Sequence, residues 1–152
     1  MKRAIGVILA VLVLDQVSKW LIPGIFEPGR RMIEVTPFFN IVEVWNPGVS
    51  FGLGASFGPW VLTGLAVVIA IALSVWMTRA TGLLRIALAL LVGGAIGNVI
   101  DRVRFGAVYD FLDLHAFGYH WPAFNVADSA ITIGAAMMLF DSLFPKRESP
   151  KK

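Results

Sequence analysis

Asp128 is the clearest candidate for a catalytic residue in this sequence, because it is a carboxylate inside an apolar segment, one turn after Asn125. No Lys, Arg or His in that segment can neutralise it. Two carboxylates in a small site cannot both be ionised cheaply, so one keeps a proton while the other stays charged. The charged group can take a proton from water, and the protonated group can hydrogen-bond a scissile carbonyl. Asp101, Asp110 and Asp113 are candidates for the second carboxylate, and the sequence pattern does not choose among them.

Other hydrolytic chemistries find little support in the sequence. It has no cysteine, which excludes disulfides, thiolate metal sites and a cysteine nucleophile. It has no HExxH motif, and His115 and His120 alone make a poor metal site. The G-x-G-D element of presenilin-like intramembrane aspartyl proteases is also missing. We therefore expect neither a metal nor another cofactor.

The composition is that of a membrane protein. Of the 152 residues, 57% are hydrophobic and only 15% are charged, whereas soluble domains carry about a quarter charged residues. This balance excludes a disordered tail and an ordinary cytosolic enzyme. It also excludes a nucleic-acid binder, despite the sequence pI of about 9.6.

Four apolar segments have roughly the 20 residues that a membrane-spanning helix needs. They cover about 4–22, 59–78, 83–100 and 124–144, in a single membrane domain of residues 1–152. The first segment also resembles a cleaved secretory signal, because Lys2 and Arg3 precede it. It continues into Asp15, Lys19 and Trp20, however, instead of a small-residue cleavage site. The second segment has no ionisable side chain, which is typical of a lipid-facing scaffold.

Basic residues predict the orientation through the positive-inside rule. They flank the first segment, the turn between the second and third, and the end of the fourth: Lys2, Arg3, Arg79, Arg85, Lys146, Arg147, Lys151 and Lys152. Four spans put these clusters on one side, so we expect both termini in the cytoplasm and the segments of about 23–58 and 101–123 outside. Polar side chains of three spans then share one depth near the outer leaflet: Lys19, Asn98, Asp101, Asn125 and Asp128.

The outer segments carry their own structural signals. Residues 33–45 are β-branched and aromatic with partial alternation, which predicts short strands. Residues 108–121 mix apolar and acidic side chains in a pattern that suits a short helix at the membrane surface, anchored by Tyr119 and Trp121. The predicted fold class is an all-α integral membrane protein. It is a four-transmembrane-helix bundle with a small periplasmic β-sheet cradle and a short interfacial helix.

Structural roles compete with functional ones for several polar residues. Asp15 and Lys19, four apart on one helix face, favour an internal ion pair over direct catalysis. Asp101 and Arg102, where the third span leaves the membrane, suit a helix-end salt bridge or a hydrogen-bonding role, and Asp113 suits a position that faces water. Small residues at four-residue spacing favour close helix packing: Gly93, Gly97, Ala130 and Gly134.

Five motifs, in order, resemble those of the bacterial lipoprotein signal peptidase (signal peptidase II) family. They are similar to its D-x-x-S/T-K, N-x-G-x-x-F-G, G-G-A-x-G-N-x-x-D-R, V-x-D-F and F-N-x-A-D-S elements. In this sequence they lie at Asp15–Lys19, Asn46–Gly52, Gly93–Arg102, Val108–Phe111 and Phe124–Ser129. Each motif is weak alone, but five in this order across nearly the whole chain are specific.

The resemblance implies that Asp110 and Asp128 are the catalytic pair. It also implies a set of residues that support the site or the substrate: Asp15, Lys19, Asn46, Gly48, Asn98, Asp101, Arg102 and Asn125. The implied substrate is a prolipoprotein with diacylglycerol on its lipobox cysteine, cut N-terminal to that cysteine in the bacterial cytoplasmic membrane. We expect a monomer surrounded by membrane lipids, in which residues 106–121 could close over the substrate.

Two other functions remain open at this point. Intramembrane Asp, Lys and Asn residues also build proton and substrate paths, so a small transporter or proton-conducting protein is one alternative. The polar residues gather near the outer leaflet, however, and do not continue through the second span. A non-catalytic assembly subunit is the other alternative.

Overall fold

The computed structural model describes residues 1–48 and 58–144. They contain long helices α1 (Lys2–Leu21), α2 (Gly58–Arg79), α3 (Gly82–Phe105) and α4 (Val126–Leu143). All four are long and apolar enough to cross a membrane, which confirms the predicted bundle. The second half of the N-x-G-x-x-F-G motif and the C-terminal Lys and Arg cluster lie outside the described residues.

Helix α3 is the centre of the bundle and packs against each of the other three helices. Leu88 and Ala89 of α3 are fully buried in a core with Ala4 of α1 and Met77 of α2. Helix α3 extends beyond the predicted end at Ile100 to Phe105. Asp101 and Arg102 therefore lie inside the helix instead of at its exit.

Glycines let α3 approach its neighbours closely. A Cβ atom at Gly97 would lie 2.7 Å from Oδ2 of Asp15 on α1, and one at Gly134 of α4 would lie 2.8 Å from the carbonyl oxygen of Ala87. Real side chains do not tolerate such contacts, so the sequence needs glycine where these helices meet. This supports the packing role predicted for the small residues.

We predict that Gly94→Ala destabilises the protein by about 1–3 kcal/mol, the usual cost of overpacking. The new Cβ would meet the carbonyl oxygen of Ala127 and lie 2.7 Å from Cγ1 of Ile131, both on α4. Thermal unfolding in detergent measures the loss. Gly64→Ala is the matched control, because its Cβ would meet nothing within 4 Å. Equal unfolding temperatures for the two variants would contradict this view of the α3–α4 contact.

A four-stranded antiparallel sheet covers one end of the bundle, in the order β1 (Met32–Thr36), β2 (Phe39–Asn46), β3 (Val108–Ala116) and β4 (Tyr119–His120). A single turn of 3-10 helix at Ile22–Ile25 follows α1. Strands β1 and β2 cover most of the segment predicted to form strands, residues 33–45, and extend one residue beyond each of its ends. After β4 the chain returns beside β3, where Leu112 and Phe124 form an antiparallel bridge. This return leads directly into α4.

The predicted interfacial helix at residues 108–121 is wrong, because this segment forms β3 and β4. Its apolar and acidic residues fit a helical pattern locally. Strand β2, however, offers open backbone partners, and pairing with it places Asp110 opposite Val44 and Asp113 opposite Asn40. Such long-range pairing outweighs local preference. The turn between β3 and β4 has positive φ at Phe117 (53°) and Gly118 (81°), as two-residue hairpin loops require.

Candidate active site

A buried ion-pair cluster joins α1 to α3. Lys19 Nζ lies 2.9 Å from Oδ2 of Asp15 and 2.8 Å from Oδ2 of Asp101, and it also donates to Oδ1 of Asn98 at 3.2 Å. The side chains of Lys19, Asp15 and Asp101 are at most 6% exposed. The predicted Asp15–Lys19 ion pair is confirmed. The structural role predicted for Asp101 is also confirmed, because Asp101 forms a salt bridge with Lys19 and accepts a hydrogen bond from the backbone N–H of Tyr109 at 3.2 Å.

Gln16 is a member of this cluster that the sequence did not single out. Its Nε2 donates to Oδ2 of Asp15 at 3.0 Å and to Oδ1 of Asp101 at 3.1 Å. It thus supplies a further donor to both carboxylates. Its position next to Asp15 was the available signal, but a neutral side chain next to a charged one is too common to predict such a role.

Asp15 also fixes the start of α4. Its Oδ1 accepts the backbone N–H of Ala127 at 2.9 Å. The first N–H groups of a helix have no partner within the helix, so a carboxylate from another element can satisfy one of them. Helix α1 therefore positions the turn of α4 that carries Asp128.

Asp128 lies in the first turn of α4 and closes a capping box with Asn125. Oδ1 of Asn125 accepts the backbone N–H of Asp128 at 2.9 Å, and Oδ2 of Asp128 accepts the backbone N–H of Asn125 at 3.3 Å. Oδ1 of Asp128 accepts from Nδ2 of Asn98 at 2.7 Å. The two donors to this carboxylate, Nδ2 of Asn98 and the backbone N–H of Asn125, bind its charged form more strongly than its neutral form.

Asp110 lies on β3 and is only 1% exposed. Its Oδ1 accepts from Nδ2 of Asn125 at 2.7 Å and its Oδ2 from Nδ2 of Asn46 at 3.1 Å. Oδ1 of Asn46 in turn accepts the backbone N–H of Gly48 at 3.0 Å, which orients the amide. Burial, and then the nearby negative charge of Asp128, raise the pKa of Asp110 to about 7. At neutral pH this carboxyl group therefore holds a proton for much of the time.

One cavity of about 420 Å³ brings the two carboxyl groups together. Asp110 and Asp128 both line it, and both are hydrogen-bonded to Asn125. Its other polar walls include Asn46, Asn98 and Arg102, and its apolar walls include Ile69 and Leu73 of α2. A cavity lined by two carboxyl groups in different environments is suited to acid–base hydrolysis.

Arg102 connects this cavity to the turn after β2. Its Nη2 donates to the carbonyl oxygen of Gly48 at 2.9 Å, while its buried Nε has no hydrogen-bond partner among the described residues. An unsatisfied guanidinium donor at a cavity wall can bind an incoming carbonyl oxygen.

Asp113 belongs to a different cluster. It is 6% exposed, accepts from Nδ2 of Asn40 at 2.8 Å and lies 2.9 Å from Nδ1 of His120. The predicted water-facing position is therefore wrong. Residues three apart on a strand point to opposite faces, which separates Asp113 from Asp110. No cluster of three or more metal-binding side chains occurs in residues 1–48 and 58–144.

Comparison with known proteins identifies the family. The sequence profile described as "Signal peptidase (SPase) II" matches residues 7–144. The chain belongs to the signal peptidase II family. Its members remove signal peptides from prolipoproteins, so this protein is a peptidase of the bacterial inner membrane.

Individual members of the signal peptidase II family are similar over most of their length. A lipoprotein signal peptidase of Methylorubrum extorquens (strain PA1) is 47% identical, with 94% of this chain and 86% of the relative aligned. One of Rhodopseudomonas palustris is 46% identical, with 93% of each chain aligned. A bacterial membrane enzyme solved by the in meso method at 2.3 Å resolution has a TM-score of 0.83 at 34% identity, covering 99% of this chain and 96% of its own.

Proposed function

We propose that this protein is an intramembrane aspartyl endopeptidase that acts on diacylglyceryl-modified prolipoproteins and cuts N-terminal to the lipidated cysteine. The observation that carries the proposal is the shared cavity, in which Asp110 and Asp128 are both held by Asn125. Family membership supports the substrate class. The apolar helices around the cavity suit a lipid-modified signal peptide.

In the proposed mechanism the two carboxyl groups have different roles. Asp128, held by Asn98 and the helix N-terminus, is ionised and takes a proton from the attacking water. Asp110, the more readily protonated group, hydrogen-bonds the scissile carbonyl oxygen and stabilises the tetrahedral oxyanion. The carbon–nitrogen bond then breaks, and Asp128 gives its proton to the cysteine amine that leaves. Nε of Arg102 holds a neighbouring backbone carbonyl of the substrate.

The proposed orientation has both termini in the cytoplasm and the cavity near the outer leaflet. Two basic clusters in the described residues support it: Lys2 and Arg3 begin α1, while Arg79 and Arg85 flank the α2–α3 turn. Asn98, Asn125 and Asp128 lie toward the opposite ends of their helices.

Purified protein in detergent tests this function. Two synthetic precursors share one peptide sequence, and one of them carries diacylglycerol on the lipobox cysteine. We expect cleavage of the lipidated precursor alone, N-terminal to the cysteine, at the same rate with and without EDTA. Mass spectrometry of the products identifies the bond that is cut. No cleavage of the lipidated precursor, or loss of cleavage on chelation, would overturn the proposal.

We predict a bell-shaped dependence of cleavage rate on pH. As the pH rises through about 7, Asp110 loses its proton, a second negative charge appears beside Asp128, and the rate falls. At acid pH the remaining carboxylate takes up a proton and the general base is lost. The two apparent pKa values belong to the pair. A kcat that stays level from pH 7 to 9, in detergent of constant composition, would contradict the proton assignment.

A further inference from the structure

A second cavity, of about 520 Å³, meets the first at Asp128. Asp128 and Thr132 line both cavities, and they form one ridge because residues four apart lie on the same face of a helix. Ile131, on one side of this ridge, lines the first cavity. Ile133, on the other side, lines the second cavity with Leu114 and Trp121, and we name this second cavity the Trp121 groove.

The Trp121 groove is open to the surroundings of the bundle. Ile133 is 54% exposed and Trp121 is 61% exposed. The groove lies where the sheet meets α4, and the exposed side chain of Ile133 on that helix forms part of its apolar wall. A hydrocarbon chain can therefore run from Asp128 along apolar side chains to the surroundings of the bundle.

The backbone of the groove wall is already hydrogen-bonded. The N–H of Trp121 donates to the carbonyl oxygen of Leu114 at 2.7 Å, and Leu112 and Phe124 exchange hydrogen bonds of 2.8 and 3.0 Å. Oγ of Ser129 donates to the carbonyl oxygen of Asn125 at 2.9 Å. These groups are not available to an extended peptide, which binds a sheet by adding backbone hydrogen bonds. The wall instead offers an apolar surface.

We propose that the Trp121 groove binds an acyl chain of the diacylglyceryl cysteine, while the residues before the scissile bond occupy the first cavity. This inference rests on the proposed function. The lipidated cysteine supplies the nitrogen of the scissile bond, so its lipid lies only a few bonds from the carbonyl between Asp110 and Asp128. The Trp121 groove is a mostly apolar space that reaches Asp128 and is open at the surface of the bundle.

Ile133→Trp tests the groove by filling it with an apolar side chain. Two precursors share one peptide and carry either dihexanoylglycerol or dipalmitoylglycerol on the cysteine. We expect the KM of the long-chain precursor, divided by the KM of the short-chain precursor, to rise by about tenfold. A tenfold loss of affinity corresponds to the lost burial of roughly two methylene groups. Leu139→Trp, at an exposed position of the same helix, should leave the ratio as in the wild type. An unaltered ratio in Ile133→Trp would overturn the proposal.

Photocrosslinking of the wild-type protein gives a second readout that does not depend on a variant folding. The probe is the dipalmitoyl precursor with a diazirine in one acyl chain. We expect crosslinks at Leu114, Trp121 or Ile133. Crosslinks at Ile69 or Leu73 would put the chain in the first cavity, and scattered crosslinks would mean that ordinary membrane lipid fills the groove; either result rejects the proposal. Failure of the wild type to cut either precursor would instead reject the proposed function.

Discussion

Asp110→Asn and Asp128→Asn should each lower kcat for the lipidated precursor by about 10³-fold or more, within the range that general acid–base catalysis contributes. Asparagine keeps the size of the side chain but can neither take a proton from water nor share one with its partner. The purified variants are assayed by single-turnover cleavage. Their unfolding temperatures should fall only moderately, because each amide keeps one of the two acceptor oxygens that the carboxylate uses.

Two variants serve as controls for this experiment. Asp141→Asn removes a carboxylate from the same helix as Asp128, at its other end, and should keep full activity. Ser50, which lies outside the described residues, stands in the sequence Gly48-Val49-Ser50-Phe51-Gly52, a G-x-S-x-G pattern typical of serine hydrolases. Ser50→Ala should also remain active. Loss of cleavage in Ser50→Ala, with activity retained in Asp110→Asn, would replace the aspartyl mechanism with a serine one.

Lys19→Met should lower the free energy of unfolding by about 3–5 kcal/mol, the usual cost of removing one partner from a buried ion pair. The change leaves the carboxylates of Asp15 and Asp101 close together, without the ammonium group that now lies within 3 Å of both. Denaturation in mixed micelles measures the loss. Lys2→Met, at an exposed position of the same helix, is the matched control and should change stability little.

A double variant separates charge from packing in this cluster. Adding Asp101→Asn to Lys19→Met removes one uncompensated charge, so part of the lost stability should return. Residues in one ion-pair network are expected to be coupled in this way. If the double variant is less stable than Lys19→Met alone, the cluster contributes through packing, and the electrostatic account is wrong.

The sequence predicts the helices well because their signals are local. Apolar length identifies the membrane spans, and Asp15 and Lys19 pair as their four-residue spacing suggests. No such local signal predicts that Asp101 also pairs with Lys19. This ion pair depends on α1 and α3 packing so closely that Gly97 is needed opposite Asp15, and only the folded bundle reveals this contact.

The choice of the second carboxylate is likewise a property of the tertiary structure. Asp101 forms an ion pair with Lys19, and Asp113 contacts Asn40 and His120. Asp110, in contrast, lines a cavity with Asp128. The positions of Asp110 and Asp113 depend on the register of β3 against β2, which long-range pairing decides. The same pairing explains why residues 108–121 were wrongly predicted to be helical. Motif resemblance selected Asp110, whereas reasoning from residue types alone did not.

The capping box at the start of α4 has a consequence for inhibition. Asn125 and Asp128 hold the first turn of the helix and also line or support the proposed catalytic cavity. A compound that hydrogen-bonds to this pair would contact groups whose replacement harms folding and turnover together. We therefore expect drug-resistant mutants to arise at the apolar walls of the cavities, where substitutions can weaken the compound without undoing the start of the helix.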